Sequence, residues 1–158
     1  MHPTFNTLSE NIRSKSTELL NRHLAAAIDL HAQVKQAHWN VRGPAFIAIH
    51  ELFDKVADAV EEYSDTLAER TAALGGTAEG TVQVAVERSF LEQYKLGVAD
   101  EKKHERAVAA ALAAFGESAR KAIDESAGFG DQDTSDVFTE ISRGIDQQLW
   151  LVEAHLYD

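Results

Sequence analysis

Apolar and small side chains return at intervals of four and three from residue 20 to residue 38: Leu20, Leu24, Ala27, His31, Val34, His38. That is the period of an amphipathic helix, and its core-facing stripe includes two histidines. Ser9, with Asn11 or Ser14, offers caps for its start. A second run, from about Pro44 to Leu74, repeats the pattern through Ala45, Ile49, Leu52, Val56, Ala59, Tyr63 and Leu67, and Gly75-Gly76 closes it. A third, roughly Gly97 to Ile123, carries Val98, His104, Val108, Ala111, Leu112 and Phe115. The last runs through Phe138, Ile141, Ile145, Leu149, Val152 and Leu156. Residues 127–135, with Gly128, Gly130 and a run of acids, read as a loop. Residues 77–89 break the period: Val82, Val84 and Val86 alternate as in a strand. A lone strand in a helical chain has nothing to pair with, so a long crossover is the better reading. Residues 1–8 form a short polar tail, and residues 9–158 a single all-α domain, a four-helix bundle with one long connection between helices 2 and 3.

The second helix carries a further regularity. His50, Asp54, Asp65 and Glu69 fall on one stripe, because offsets of four, eleven and fifteen residues return close to the same face. They form two clusters, and the gap from Asp54 to Asp65 is about 16 Å at 1.5 Å of rise per residue. No single metal spans that. The stripe is symmetric about a point between Ala59 and Val60. Two copies of the helix laid antiparallel across a two-fold axis would set His50 and Asp54 of one beside Asp65 and Glu69 of the other, as an isologous dimer allows. His38 can complete each cluster, because the turn Asn40-Val41-Arg42-Gly43-Pro44 reverses the chain. Taken singly, acids on a helix are usually a solvated face; the symmetric spacing and the turn set these apart. A mixed imidazole and carboxylate set suits iron better than structural zinc, which favours thiolates, or calcium, which favours oxygen alone.

Composition narrows the classes. The 158 residues can bury a real core. There is no Cys, hence no disulfide framework or thiol nucleophile, which fits a cytoplasmic protein. No apolar run is long enough to span a membrane. The formal net charge of −11 argues against a simple basic nucleic-acid surface and suits a container for cations.

His38-Trp39-Asn40, Arg42-Gly43, Phe46, His50-Glu51, Asp54 and Asp65-Thr66-Leu67-Ala68-Glu69-Arg70 resemble the signature of the Dps family, the mini-ferritins. The resemblance covers nearly the whole chain and is densest from Lys35 to Gly76. It implies a ferritin-like bundle with a short helix in the crossover, near Ser89 to Tyr94. It also implies a di-iron ferroxidase centre at a dimer interface, with His38, His50 and Asp54 from one subunit and Asp65 and Glu69 from its mate. Hydrogen peroxide as oxidant and a hollow dodecamer storing ferric mineral follow from the same likeness. Asp131, Asp136 and Glu140 resemble the family's acidic three-fold pores, and Glu51, Glu61 and Glu62 are candidates to nucleate mineral.

Other residues read more plainly. His31, about 10 Å from His38 by helical rise, is a hydrogen-bonded core or interface histidine. Glu101 and His104 form an E-x-x-H pair without the second copy that an intra-subunit di-iron site needs, and so read as solvated. Two rival functions remain. DNA compaction is disfavoured because residues 1–14 hold only Arg13 as a cation and the chain ends Glu-Ala-His-Leu-Tyr-Asp. A non-catalytic, metal-buffering helical scaffold would consume no peroxide.

Overall fold

The computed structural model describes residues 1–157. Five helices follow in order: α1 Glu10–Asn40, α2 Phe46–Ala73, α3 Val82–Arg88, α4 Glu101–Gly128 and α5 Gln132–Glu153. The described residues hold no strand; the one isolated bridge pairs Arg42 with Asp100. α1 packs on α2 and α4 on α5, and α1–α4 and α2–α5 contacts join the two pairs. The four long helices make a ferritin-like bundle, with α3 lying in the crossover against α1. Phe53, Phe115, Phe138, Leu20, Leu30 and Ile49 are fully buried at its centre.

The helix ends are specified by local chemistry. Ser9, Thr81, Asp100 and Asp131 each accept a hydrogen bond from an amide in the first turn of the helix that follows. α2 lacks such a cap, and the Ala45 amide donates instead to Glu101 Oε2 at 3.0 Å. At the end of α2, Gly75 takes φ +79°, its amide donates to the Ala72 carbonyl, and that of Gly76 donates to Thr71. This is a Schellman closure, which needs the left-handed residue that glycine supplies. α4 ends the same way at Gly130, φ +97°, with the Asp131 amide returning to Ser126. Asp131 therefore closes one helix with its amide and opens the next with its carboxylate.

Three boundaries differ from the sequence reading. The crossover helix occupies Val82–Arg88, not Ser89 to Tyr94. Thr81 caps it, and Ser89, in extended backbone, ends it while its hydroxyl donates to Asp29 Oδ2 at 2.5 Å. With no strand beside it, the valine-rich run coils instead. Val82 and Val86 share the outer face, and Ala85 is buried inside. The third long helix begins at Glu101 and continues to Gly128. The connection before the last helix accordingly shrinks from the expected 127–135 to Phe129, Gly130 and Asp131.

Candidate functional site

His38 lies in the last turn of α1, where carbonyls lack helical partners, and His50 in the second turn of α2. The turn between the helices brings them together with ring centroids 3.7 Å apart and planes 20° from parallel. Their contacts are reciprocal. His38 Nδ1 donates to the His50 carbonyl at 2.8 Å, and His50 Nδ1 donates to the His38 carbonyl at 2.8 Å. A carbonyl only accepts, so both Nδ1 atoms carry protons and, in the neutral rings, both Nε2 atoms keep a free lone pair. Hydrogen bonds of this kind from the far ring nitrogen fix the tautomer and orientation of a metal-binding imidazole.

Asp54, one turn after His50, completes the cluster: its Oδ1 lies 3.8 Å from His38 Nε2 and 2.5 Å from Lys35 Nζ. The Lys35 hydrogen bond is the main reason the Asp54 carboxyl is held below its ordinary range. Lys35 sits one turn before His38 on the same side of α1. Helical spacing puts it within reach, but a lysine one turn from a histidine usually points to solvent, so sequence reasoning passed over it. Trp39 lies beside the cluster, two-thirds exposed, with Lys35 Nζ 5.8 Å from its ring. Phe46 and Ile47, large and apolar, are exposed on the same side, and the Phe46 ring stands 5.1 Å from His50.

Asp65 and Glu69 lie further along α2, exposed to solvent and away from the histidines. Among the described residues no three His, Asp or Glu side chains converge to hold a metal ion within one chain. The chain thus stacks His38 on His50 with Asp54 beside His38, short of a three-ligand convergence, and leaves Asp65 and Glu69 apart from them.

Several residues read differently in three dimensions. Glu101 and His104 are buried, not solvated. Glu101 caps α2 through Ala45, while His104 Nε2 donates to the Val98 carbonyl at 3.0 Å and its Nδ1 accepts from Tyr94 Oη at 2.6 Å. His104 thus ties the crossover to α4, and Glu101 ties the start of α4 to that of α2. Asp131 cannot line a pore in this chain, since it is only 1% exposed and bound on every side. It accepts from Ser16 at 2.5 Å, Arg70 at 2.9 Å and Thr134 at 2.6 Å. Burial pushes its carboxyl up, but the Ser16, Thr134 and Arg70 contacts together outweigh it and hold the carboxyl below the usual range. Asp136 and Glu140 remain exposed. His31 is half-buried, whereas His23, which the periodicity argument did not single out, is fully buried. His23 Nδ1 donates to Leu19 at 2.8 Å, its Nε2 accepts from Ser118 at 2.9 Å, and its ring packs 4.7 Å from Phe138. Its place between Leu20 and Ala27 was the available signal. Among the described residues, no helix is long and apolar enough to cross a membrane.

Residues 17–158 match the ferritin-like domain family model. A DNA protection during starvation protein of Agrobacterium fabrum is 42% identical over 160 residues, covering 99% of this chain and 97% of the relative. Among solved structures, Dps of Mycobacterium smegmatis superposes with a TM-score of 0.93 at 30% identity, over 100% of this chain and 95% of that one. DpsA14 of Streptomyces coelicolor gives 0.91 at 37% identity, over 98% and 92%.

Proposed function

The chain belongs to the Dps family of ferritin-like proteins, and from that premise we propose that it oxidises Fe(II) at a site shared between two subunits and stores the ferric product inside a hollow homo-oligomer. Membership supports an iron-storage role of the mini-ferritin kind. The finer reading rests on one observation: the reciprocal imidazole–carbonyl lock that frees both Nε2 atoms beside Asp54.

In this proposal His38, His50 and Asp54 of one subunit face Asp65 and Glu69 of its mate, and Fe(II) is the substrate they hold. Imidazole nitrogen suits the ferrous ion, and three carboxylates per site stabilise the ferric product by charge and by hard oxygen donors. Two adjacent Fe(II) ions each give one electron to a single hydrogen peroxide. Its O–O bond breaks, two hydroxides leave with the electrons, and no hydroxyl radical is released. The chain supplies positioning. The lock holds the rings without cost at the moment of binding, and Lys35 neutralises Asp54 until iron arrives. The exposed Trp39, Phe46 and Ile47 beside the cluster suit a face that a second copy covers. A dodecamer working in the cytoplasm is the assembly this reading favours.

Complementation tests the shared site. Asp65→Asn with Glu69→Gln removes charge from one half at constant size, and His50→Ala with Asp54→Ala damages the other half. Each double variant alone should lose rapid peroxide-dependent Fe(II) oxidation. Dissociated, mixed and reassembled, they should regain part of it, because a mixed dimer has one undamaged site and one doubly damaged site. No recovery on mixing, with mixed assembly verified by mass, would show that all ligands come from one chain.

A further inference from the structure

Away from the histidine cluster, the crossover after α3 and the outer face of α4 enclose a groove of about 620 Å³. That lies within the range of small-molecule sites. Its floor is a stripe of α4, with Ala107, Ala110, Ala111 and Ala114 spaced as one helical face. Phe90 and Tyr94 of the crossover form the opposite wall.

The groove is polar at one end and apolar at the other. Lys103 and Arg106 line the end of the stripe near the start of α4, and Lys95 follows Tyr94 in the crossover, where Tyr94 and Val98 bind His104. None of the three cations makes an ion pair among the described residues, although the chain carries 26 acids and 15 cations. One acid, Glu92, lines the same groove. At the other end Ala114 and Phe90 are apolar, and Phe90 continues into the core 6.2 Å from the Phe115 ring. From Lys103 and Arg106 to Ala114 is about 12–16 Å along the helix.

Gln33, 6% exposed, ties the groove wall to α1: its amide nitrogen donates to Asp29 Oδ1 at 3.1 Å and to the Glu92 carbonyl at 3.0 Å.

We infer that this groove binds a linear amphiphilic carboxylate of medium chain length. The carboxylate meets Lys95, Lys103 and Arg106, and the alkyl body lies on the alanine stripe toward Phe90. The cations supply charge complementarity, and the alanines leave room that larger side chains would fill.

The test titrates the assembled protein with decanoate by calorimetry, with 1-decanol and decyltrimethylammonium as comparisons. We expect saturable binding of one decanoate per chain, and binding of the neutral and cationic compounds weaker by about tenfold or more, the factor that about 1.4 kcal/mol represents. Lys103→Glu with Arg106→Glu should weaken the acid at least as much. Ala110→Trp, at an exposed position, should fill the groove and abolish binding while assembly size and Fe(II) oxidation stay unchanged. Absence of saturable binding overturns the proposal, as does equal affinity for decyltrimethylammonium or indifference to both variants. If Ala110→Trp disrupts assembly, a neighbouring copy covers the groove, which also overturns it. The binding and assembly readouts do not depend on the ferroxidase reading.

Discussion

At the scale of single residues, the cluster owes its readiness to what its side chains already hold. Asp54 is bound to Lys35 at 2.5 Å, so an arriving ferrous ion must displace an ammonium. Both side chains are partly exposed, so water screens that contact. Lys35→Met should therefore tighten anaerobic Fe(II) binding only modestly, read from an equilibrium titration; weaker binding would mean that Lys35 holds Asp54 in place for the metal. His23 is the other residue with a consequence. Burial, foremost, lowers its pKa from the ordinary value of 6.5, so the folded chain binds fewer protons than the unfolded one below that pH. Its contribution is present above pH 6.5 and is lost progressively as the pH falls below that value. His104, lowered chiefly by burial, acts in the same direction, whereas Glu105, raised by burial, acts in the opposite one. His23→Gln should show a smaller drop in Tm between pH 7.5 and 5.5 than the parent, and an equal drop would remove His23 from the account. The positions of His38, His50 and Asp54 were legible in the sequence, because helical spacing and a Gly-Pro turn are local. Lys35, His23 and the burial of Glu101 were not, since each depends on which neighbouring helix happens to face it.

At the scale of elements, the buried Asp131 joins three helices. It caps α5, receives Ser16 of α1, and takes the guanidinium of Arg70, the residue next to Glu69 on α2. Asp131→Ala should lose the cap, about 1 kcal/mol, and leave a largely buried Arg70 without its partner. A total loss of about 2–4 kcal/mol is expected from urea unfolding. Asp136→Asn, at an exposed position, should fall within about 0.5 kcal/mol of the parent. The contrast separates a structural acid from a solvent-facing one, and equal effects would refute it. The four long helices were legible from period alone. The short one was misplaced by seven residues in its start, Val82 against Ser89, because alternating valines satisfy a strand pattern as well as a helix. What decided between them was the Thr81 cap and the face of α1 available to Ala85.

For the whole molecule, charge is the governing quantity. With a net charge of −11 and a single cation in residues 1–14, the chain offers phosphates little counterion release. Duplex DNA should bind weakly or not at all at physiological salt in a gel-shift titration. Tight binding that weakens steeply with added salt would reveal a basic surface made by assembly, and the unpaired cations beside α4 would be its first suspects. The relatives named for DNA protection leave that experiment worth doing on this chain.

The distance along α2 between its two acidic clusters has a consequence for timing. A chain newly released from the ribosome holds half of each of two sites and, among its described residues, no convergent set of three metal-binding groups. Under the shared-site proposal it is inert toward iron until it meets a second chain. Oxidation then begins only as the walls of the container come together, and its onset scales with the square of the concentration of free chains. A cell making the protein in the presence of ferrous iron thus forms no ferric precipitate on unfinished subunits, because the catalyst and the vessel are completed by the same encounter.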